Sequence, residues 1–187
     1  MEQRQRAARA LVRHADRALL LRPQRRIAVY FAHGAEIDLR PLIDAARRRG
    51  CALYLPVIAH DRAHRMEFHL FEAGAPLRPN RFGILEPTSR ARIPVAQLDV
   101  VFAPLIAFDL AGGRLGSGAG FYDRALRRLR GERKWRRPRV IGVGYDCQCV
   151  PRLDQAPWDV RLDAVLTESG LHRIATAYGN KRGPRPT

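Results

Sequence analysis

Ile27-Ala-Val-Tyr-Phe-Ala32 and Cys51-Ala-Leu-Tyr-Leu-Pro-Val57 are two apolar runs of strand length, and the reading of the stretch they bracket decides the fold. Continuous apolar runs belong to strands buried on both faces. Between them, His33 to Glu36 makes a short loop, Asp38 is placed to cap a helix, Pro41 falls in its first turn and Gly50 stops it after Arg49. A β-α-β unit implies two parallel strands with a right-handed crossover. Ligands in such sheets bind at the carboxyl ends of the strands. Glu36 sits at such an end.

Upstream, residues 4–22 read as a helix, with Ala7, Ala8, Leu11, Ala15, Ala18, Leu19 and Leu21 at roughly helical spacing and Pro23 as its stop. Downstream, residues 60–65 read as a polar turn. Met66 to Phe71 alternates, as a half-exposed antiparallel or edge strand does. A Pro- and Gly-rich loop follows, then a core strand over Leu98–Phe108 with Pro104 marking its end or a bulge. A helix runs from near Phe121 to about Arg130. Val140–Tyr145 is another strand, Asp154–Asp163 a loop and Ala164–Thr167 a short last strand. The fold expected is α/β: three layers, α/β/α, with a mostly parallel sheet. Residues 1–178 form one domain, and residues 179–187 a frayed polar tail.

Composition narrows the function. The 187 residues, 46% of them hydrophobic, suit one globular domain with a substantial core. There is no apolar leader and no run long enough to span a bilayer, so a cytoplasmic protein is expected. Cys51, Cys147 and Cys149 form no Cys-x-x-Cys pair; they read as reduced packing residues, with Cys147 and Cys149 alternating at a strand end. The histidines have no zinc spacing. Net charge is +16, and the excess is arginine, since Lys134 and Lys181 are the only lysines. Arg4–Arg26 and Arg124–Arg139 hold the clusters. Only Trp135 accompanies the second, so a base-stacking platform is not supported. These runs read as solvated faces that also steer anionic ligands.

The chemistry gathers in Asp109-Leu-Ala-Gly-Gly-Arg-Leu-Gly-Ser-Gly-Ala-Gly-Phe-Tyr-Asp-Arg124. Gly112 and Gly113 suit a tight turn. Gly116, Gly118 and Gly120 leave the backbone bare, and a helix start follows; bare amides and a helix N-terminus together attract phosphate. Arg114 adds a guanidinium that grips phosphate oxygens through two N–H groups. Asp123, beside a polyphosphate, suits Mg²⁺. A Walker A loop is excluded, because Ala119 and Gly120 stand where Lys and Ser/Thr belong, and a dinucleotide fingerprint is excluded by Asp123 in the third glycine's place. The bland reading is a flexible hairpin or helix-entry loop; Arg114 before it and Tyr122-Asp123 after it favour phosphate.

Arg114-Leu-Gly-Ser-Gly-Ala-Gly-Phe-Tyr-Asp123 resembles the signature of the 5-formyltetrahydrofolate cyclo-ligase (methenyltetrahydrofolate synthetase) family, Arg-Leu-Gly-x-Gly-x-Gly-Tyr/Phe-Tyr-Asp. Other blocks resemble it too: Ala28–Phe31 with Glu36–Asp38, Leu55–Val57, Asn80–Pro87, Asp99–Asp109, Gln148, Trp158-Asp159 and Val165–Thr167. The likeness runs from residue 27 to residue 168. It implies a NagB/RpiA/CoA-transferase-like fold and ATP-dependent, Mg²⁺-dependent closure of 5-formyltetrahydrofolate to 5,10-methenyltetrahydrofolate. It further implies ATP contacts from Arg114, Leu115, Gly116, Ser117, Gly118, Ala119, Gly120, Phe121 and Tyr122. Folate contacts fall on Phe31, Glu36, Ser117, Gly120 and Phe121, Mg²⁺ ligands on Asp123 and Asp159, and catalytic roles on Arg114 and Asp123. Taken singly and without the signature, the plainer readings are favoured: Phe31 as core, Glu36 as support for the helix start and Asp159 as a turn residue. A monomer is expected, without membrane or nucleic acid as partner.

Two departures from the pattern stand out. Family members usually begin with an extra helix whose Lys and Arg contact ATP; here about one helix too few precedes Ile27, and Arg4, Arg6 or Arg9 is a candidate substitute. Ala119 replaces a frequent glycine, which costs about 1 kcal/mol if that position needs φ > 0. Two other readings compete. A relative with lost or altered substrate or activity is favoured by the short N-terminus, and a basic nucleic-acid-binding protein is favoured by the charge but leaves Arg114–Asp123 without a purpose.

Overall fold

The computed structural model describes residues 2–59, 65–127 and 138–174. Most of the turn expected at 60–65, the end of the helix expected to reach Arg130, and the polar tail from Gly179 lie outside them.

Helix α1 (Glu2–Arg17) packs against α2 (Arg40–Arg48). Both end in the same device. At the end of α2, Gly50 takes φ 74°, Gly50 N–H bonds Arg47 O and Cys51 N–H bonds Ala46 O, a Schellman motif. At the end of α1, Leu19 takes φ 54°, with Leu19 N–H on Asp16 O and Leu20 N–H on Ala15 O. The expected helix to residue 22 therefore stops early. The amphipathic spacing persists past Arg17, but the chain has already turned at a left-handed leucine. Asp38 does not cap α2 as expected. The N-cap is Leu39 without a side-chain bond, while Asp38 Oδ1 accepts the Arg40 N–H at 3.0 Å.

Strands β1 (Arg26–Ala28) and β2 (Ala52–Ile58) are parallel neighbours, as the β-α-β reading requires. Beyond β2 come β3 (Met66–Leu70), antiparallel to it as expected, and β6 (Arg92–Ile93), which holds the edge instead. On the other side of β1 lie β7 (Val100–Pro104), β10 (Arg139–Val143) and β11 (Ala164–Leu166), all parallel, then antiparallel β12 (Leu171–Arg173). The order across the sheet is β12-β11-β10-β7-β1-β2-β3-β6, a mixed, mostly parallel sheet. Pro104 ends β7, as its missing donor predicts. Beside the sheet, β4 (Leu77–Pro79) pairs with β5 (Leu85–Pro87), and β8 (Ala107–Phe108) pairs with β9 (Arg114–Leu115).

Side-chain alternation divides the core. Ile27, Leu53, Val100, Phe102, Ile141 and Leu166 face the layer of α1 and α2. Ala28, Tyr54, Val101, Val140 and Val165 face the opposite layer, where Leu126 of α3 (Phe121–Leu126) is fully buried. Period-2 strands with both faces apolar explain why these segments read as continuous hydrophobic runs. Cys51 is buried, as a packing residue should be. Cys147 and Cys149 are exposed, lying in and just after a 3₁₀ turn over Asp146–Gln148 rather than along a strand.

Candidate active site

The glycine-rich stretch forms a hairpin and a loop. Its turn is tied by Asp109, whose buried carboxylate accepts N–H bonds from Ala111 (2.9 Å) and Gly113 (2.7 Å) through Oδ1, and from Leu153 (2.8 Å) through Oδ2. Burial alone would raise the Asp109 pKa; the amides of Leu153, Gly113 and Ala111 outweigh it and hold the pKa below the usual value. Gly112 sits at φ 92°. Gly113 has another reason to lack a side chain: a Cβ there would meet Asp109 Oδ2 and Gln155 Nε2 at 2.6 Å. Gly116 and Gly118 face open space, so the backbone between β9 and α3 is bare, as expected of a loop that a ligand approaches. Gly118 and Gly120 take positive φ, whereas Ala119 does not, so alanine there is unstrained.

This loop is the partition between two cavities. One, of about 160 Å³, lies over the carboxyl ends of β1, β2 and β7; its walls include Tyr30, Phe31, Glu36, Leu55, Pro104 and Tyr122. The other, of about 420 Å³, is bordered by Arg124, Arg127, Leu153, Trp158 and Asp159. Arg114, Gly116, Ala119, Gly120 and Asp123 border both. The residues singled out from the sequence are thus brought together, and they divide. Phe31, Glu36, Ser117, Phe121 and Tyr122 face the first cavity; Leu115, Gly118 and Asp159 face the second.

Arg114 is the hinge of the arrangement. Its side chain is only 5% exposed, its Nη2 donates to Asp123 Oδ1 at 2.7 Å, and its Nε has no partner. A buried guanidinium whose Nε N–H makes no hydrogen bond to the described residues is suited to an anionic acceptor. Asp123 Oδ1 also accepts the Val160 N–H at 3.1 Å, and Asp159 Oδ2 accepts the Ala156 N–H at 2.8 Å. Three carboxylates (Asp123, Asp154, Asp159) and three guanidiniums (Arg114, Arg124, Arg127) therefore border one polar cavity. Among the described residues no cluster of three or more His, Cys, Asp or Glu side chains could hold a metal alone.

Across the first cavity, Glu36 Oε2 accepts the His33 N–H at 2.9 Å, and burial raises its pKa. Phe31 packs edge-on to Phe71 at 5.5 Å. Of the three candidate arginines of α1, Arg4 reaches this rim, donating to Gly34 O (3.1 Å), Glu36 O (3.4 Å) and Tyr145 Oη (3.4 Å). It fastens the Glu36 loop and borders neither cavity; Arg6 pairs with Glu2 on its own helix.

In the sequence, Asn80 and Glu86 stand out only as parts of the Asn80–Pro87 block. Glu86 is buried and its Oε1 accepts from Ile58 N–H (3.0 Å) and Asn80 Nδ2 (2.7 Å), which fixes the β4–β5 hairpin over the first cavity. A glutamate before proline in a loop was the available signal. Tyr30 was hidden inside an apolar run.

Known proteins resemble this chain over most of its length. The chain is 36% identical over 168 residues to the 5-formyltetrahydrofolate cyclo-ligase of Haemophilus influenzae, covering 88% of this chain and 87% of that one. It is 40% identical over 147 residues to the protein of the same name from Escherichia coli strain K12, covering 76% and 78%. The NMR structure of Aquifex aeolicus 5,10-methenyltetrahydrofolate synthetase superposes with a TM-score of 0.75 at 27% identity, covering all of this chain and 86% of that one. The sequence profile of a family of ligases, described as the 5-formyltetrahydrofolate cyclo-ligase family, matches residues 1–168, and the chain belongs to that family.

Proposed function

We propose that this chain closes 5-formyltetrahydrofolate to 5,10-methenyltetrahydrofolate at the expense of ATP. The observation that carries the reading is the two-sided glycine loop: one face borders an apolar cavity with a carboxylate, the other a polar cavity with arginines and carboxylates. A flat heterocycle fits the first and a polyphosphate the second, and the formyl group and the γ-phosphate would meet at the partition.

The formyl oxygen on N5 is a poor leaving group. Transfer of the γ-phosphoryl group to it breaks the bond to the β-phosphate oxygen, releases ADP and leaves an imidate-type phosphate. N10 then attacks the formyl carbon and gives up its proton to solvent, the ring closes, and the C–O bond breaks to release inorganic phosphate. Phosphoryl transfer needs positioning and charge neutralisation more than a covalent residue. Arg114 supplies a fork to the phosphate oxygens, and the bare backbone of residues 116–120 supplies close approach. Glu36 accepts N–H bonds from the pterin, and Phe31 lines the apolar floor.

Asp123 and Asp159 fit Mg²⁺, which takes few carboxylates and completes its shell with phosphate and water oxygens. They would hold it against the triphosphate, where it supplies further neutralisation of charge. Among the described residues no helix is long and apolar enough to cross a membrane.

The test is absorbance in the methenyl-folate band with purified protein, 5-formyltetrahydrofolate, ATP and Mg²⁺, and with each omitted in turn. Signal that needs all three is the expected result. A folded protein with no signal would sink the reading in favour of a relative with altered activity.

A further inference from the structure

Among the described residues, two buried side-chain polar atoms lack any hydrogen-bond partner, Arg114 Nε and Tyr30 Oη, and both residues line the same cavity. An unpaired buried polar group is a standing cost, so it calls for an explanation at each position. Phosphate accounts for the arginine. Nothing in the phosphate reading accounts for the tyrosine.

Tyr30 stands two residues past the end of β1, in the apolar run that supplies the sheet's centre. It is 4% exposed, and a phenylalanine would serve packing equally well without an orphaned oxygen. Its hydroxyl stays protonated: burial, then the Glu36 charge, then Tyr122, push its pKa well above the ordinary value. A neutral phenol in an apolar wall is a hydrogen-bond donor. Glu36, on the same cavity wall, is as a carboxylate an acceptor only. A donor and an acceptor set in one wall suit a lactam edge, where a ring N–H and a ring carbonyl lie side by side.

We propose that Tyr30 Oη donates a hydrogen bond to the ring carbonyl of the folate's pterin, next to the N–H groups that Glu36 accepts. Tyr30 is then a substrate-binding residue that fixes which edge of the ring enters the cavity. This rests on the folate reading above.

Tyr30→Phe removes one oxygen and leaves the shape. The expected result is a rise in KM for 5-formyltetrahydrofolate of about tenfold with KM for ATP unchanged, since a ring acceptor is left unpaired in the complex. The free variant melts no lower than the parent, because the lost hydroxyl had no partner. The thermal shift given by 5-formyltetrahydrofolate shrinks, while that given by ATP with Mg²⁺ stays. Equal folate KM and equal folate shift in the two proteins would overturn the assignment. So would a lower melting temperature of the free variant, which would mean that a buried water holds the hydroxyl. If the parent itself shows no folate shift and no methenyl band, the folate reading falls and the Tyr30 assignment falls with it; a responsive parent beside an equally responsive variant removes the tyrosine alone.

Discussion

The Arg114 guanidinium and the Asp123 carboxylate hold one another at 2.7 Å on the boundary between the two cavities, and the arginine still has an unused N–H. A cation already oriented by one anion is preorganised to take a second without paying to find its place. Asp123→Asn keeps an acceptor for Arg114 and for the Val160 amide but removes the charge. We expect turnover to fall by about 10²–10³-fold or further while the circular-dichroism spectrum is retained. Near-normal turnover would refute the metal-binding role.

Arg114→Lys separates charge from geometry. Lysine keeps the charge but loses the planar fork and cannot serve Asp123 and a phosphate together. The expected outcome is a higher KM for ATP together with a kcat lower by about 10²-fold, read by steady-state kinetics. A change in folate KM alone would contradict the placement of Arg114 at the phosphate.

Glu36 binds as a carboxylate, and burial raises its pKa. Protonation, which abolishes its acceptor pair, therefore sets in at a higher pH than for an ordinary glutamate. KM for 5-formyltetrahydrofolate should rise as pH falls through that raised value. Glu36→Gln should show a high KM that no longer rises on that limb. A pH–KM profile of both proteins checks this.

Asp109 works in the opposite sense. Its pKa is held down in the folded state, so its stabilising contribution is full above the unfolded aspartate value and is lost as pH falls through the depressed folded value. Asp109→Asn should cost about 2 kcal/mol at neutral pH, with the gap from the parent narrowing in acid. Urea unfolding at several pH values reads both.

Leu19 pays for its left-handed backbone at the end of α1. Leu19→Gly should stabilise the protein by about 1 kcal/mol, seen as a melting temperature a few degrees higher. A decrease would show that the half-exposed leucine packs more than it strains.

Much of the architecture was legible because its signals are local. The Gly50 stop, Pro41 in the first turn of α2 and the apolar runs of β1 and β2 each state their structure within a few residues. The overrun of α1 has a physical cause: amphipathic spacing continues through Leu21, and nothing marks Leu19 as the residue that will turn left-handed. Hairpin β4–β5 and edge strand β12 went unread because Leu77–Pro79, Leu85–Pro87 and Leu171–Arg173 are too short to show a period; only their partners make them strands. The glycine loop announced a ligand, yet its two-sidedness is a tertiary property. Tyr30 could not be found at all, since a tyrosine in an apolar run looks like core until the cavity beside it is seen.

The loop that carries Asp159 is fastened at one end to the glycine hairpin, Leu153 N–H to Asp109, and at the other to helix α3, Val160 N–H to Asp123. One fastener ends on a buried carboxylate, the other shares its oxygen with Arg114. In deuterium exchange the Leu153 amide should therefore open only with global unfolding, while the Val160 amide follows a shallower, local opening. Nucleotide arriving at Arg114 would retune only the second rhythm, so the site can loosen on one side while its foundation keeps time with the whole fold.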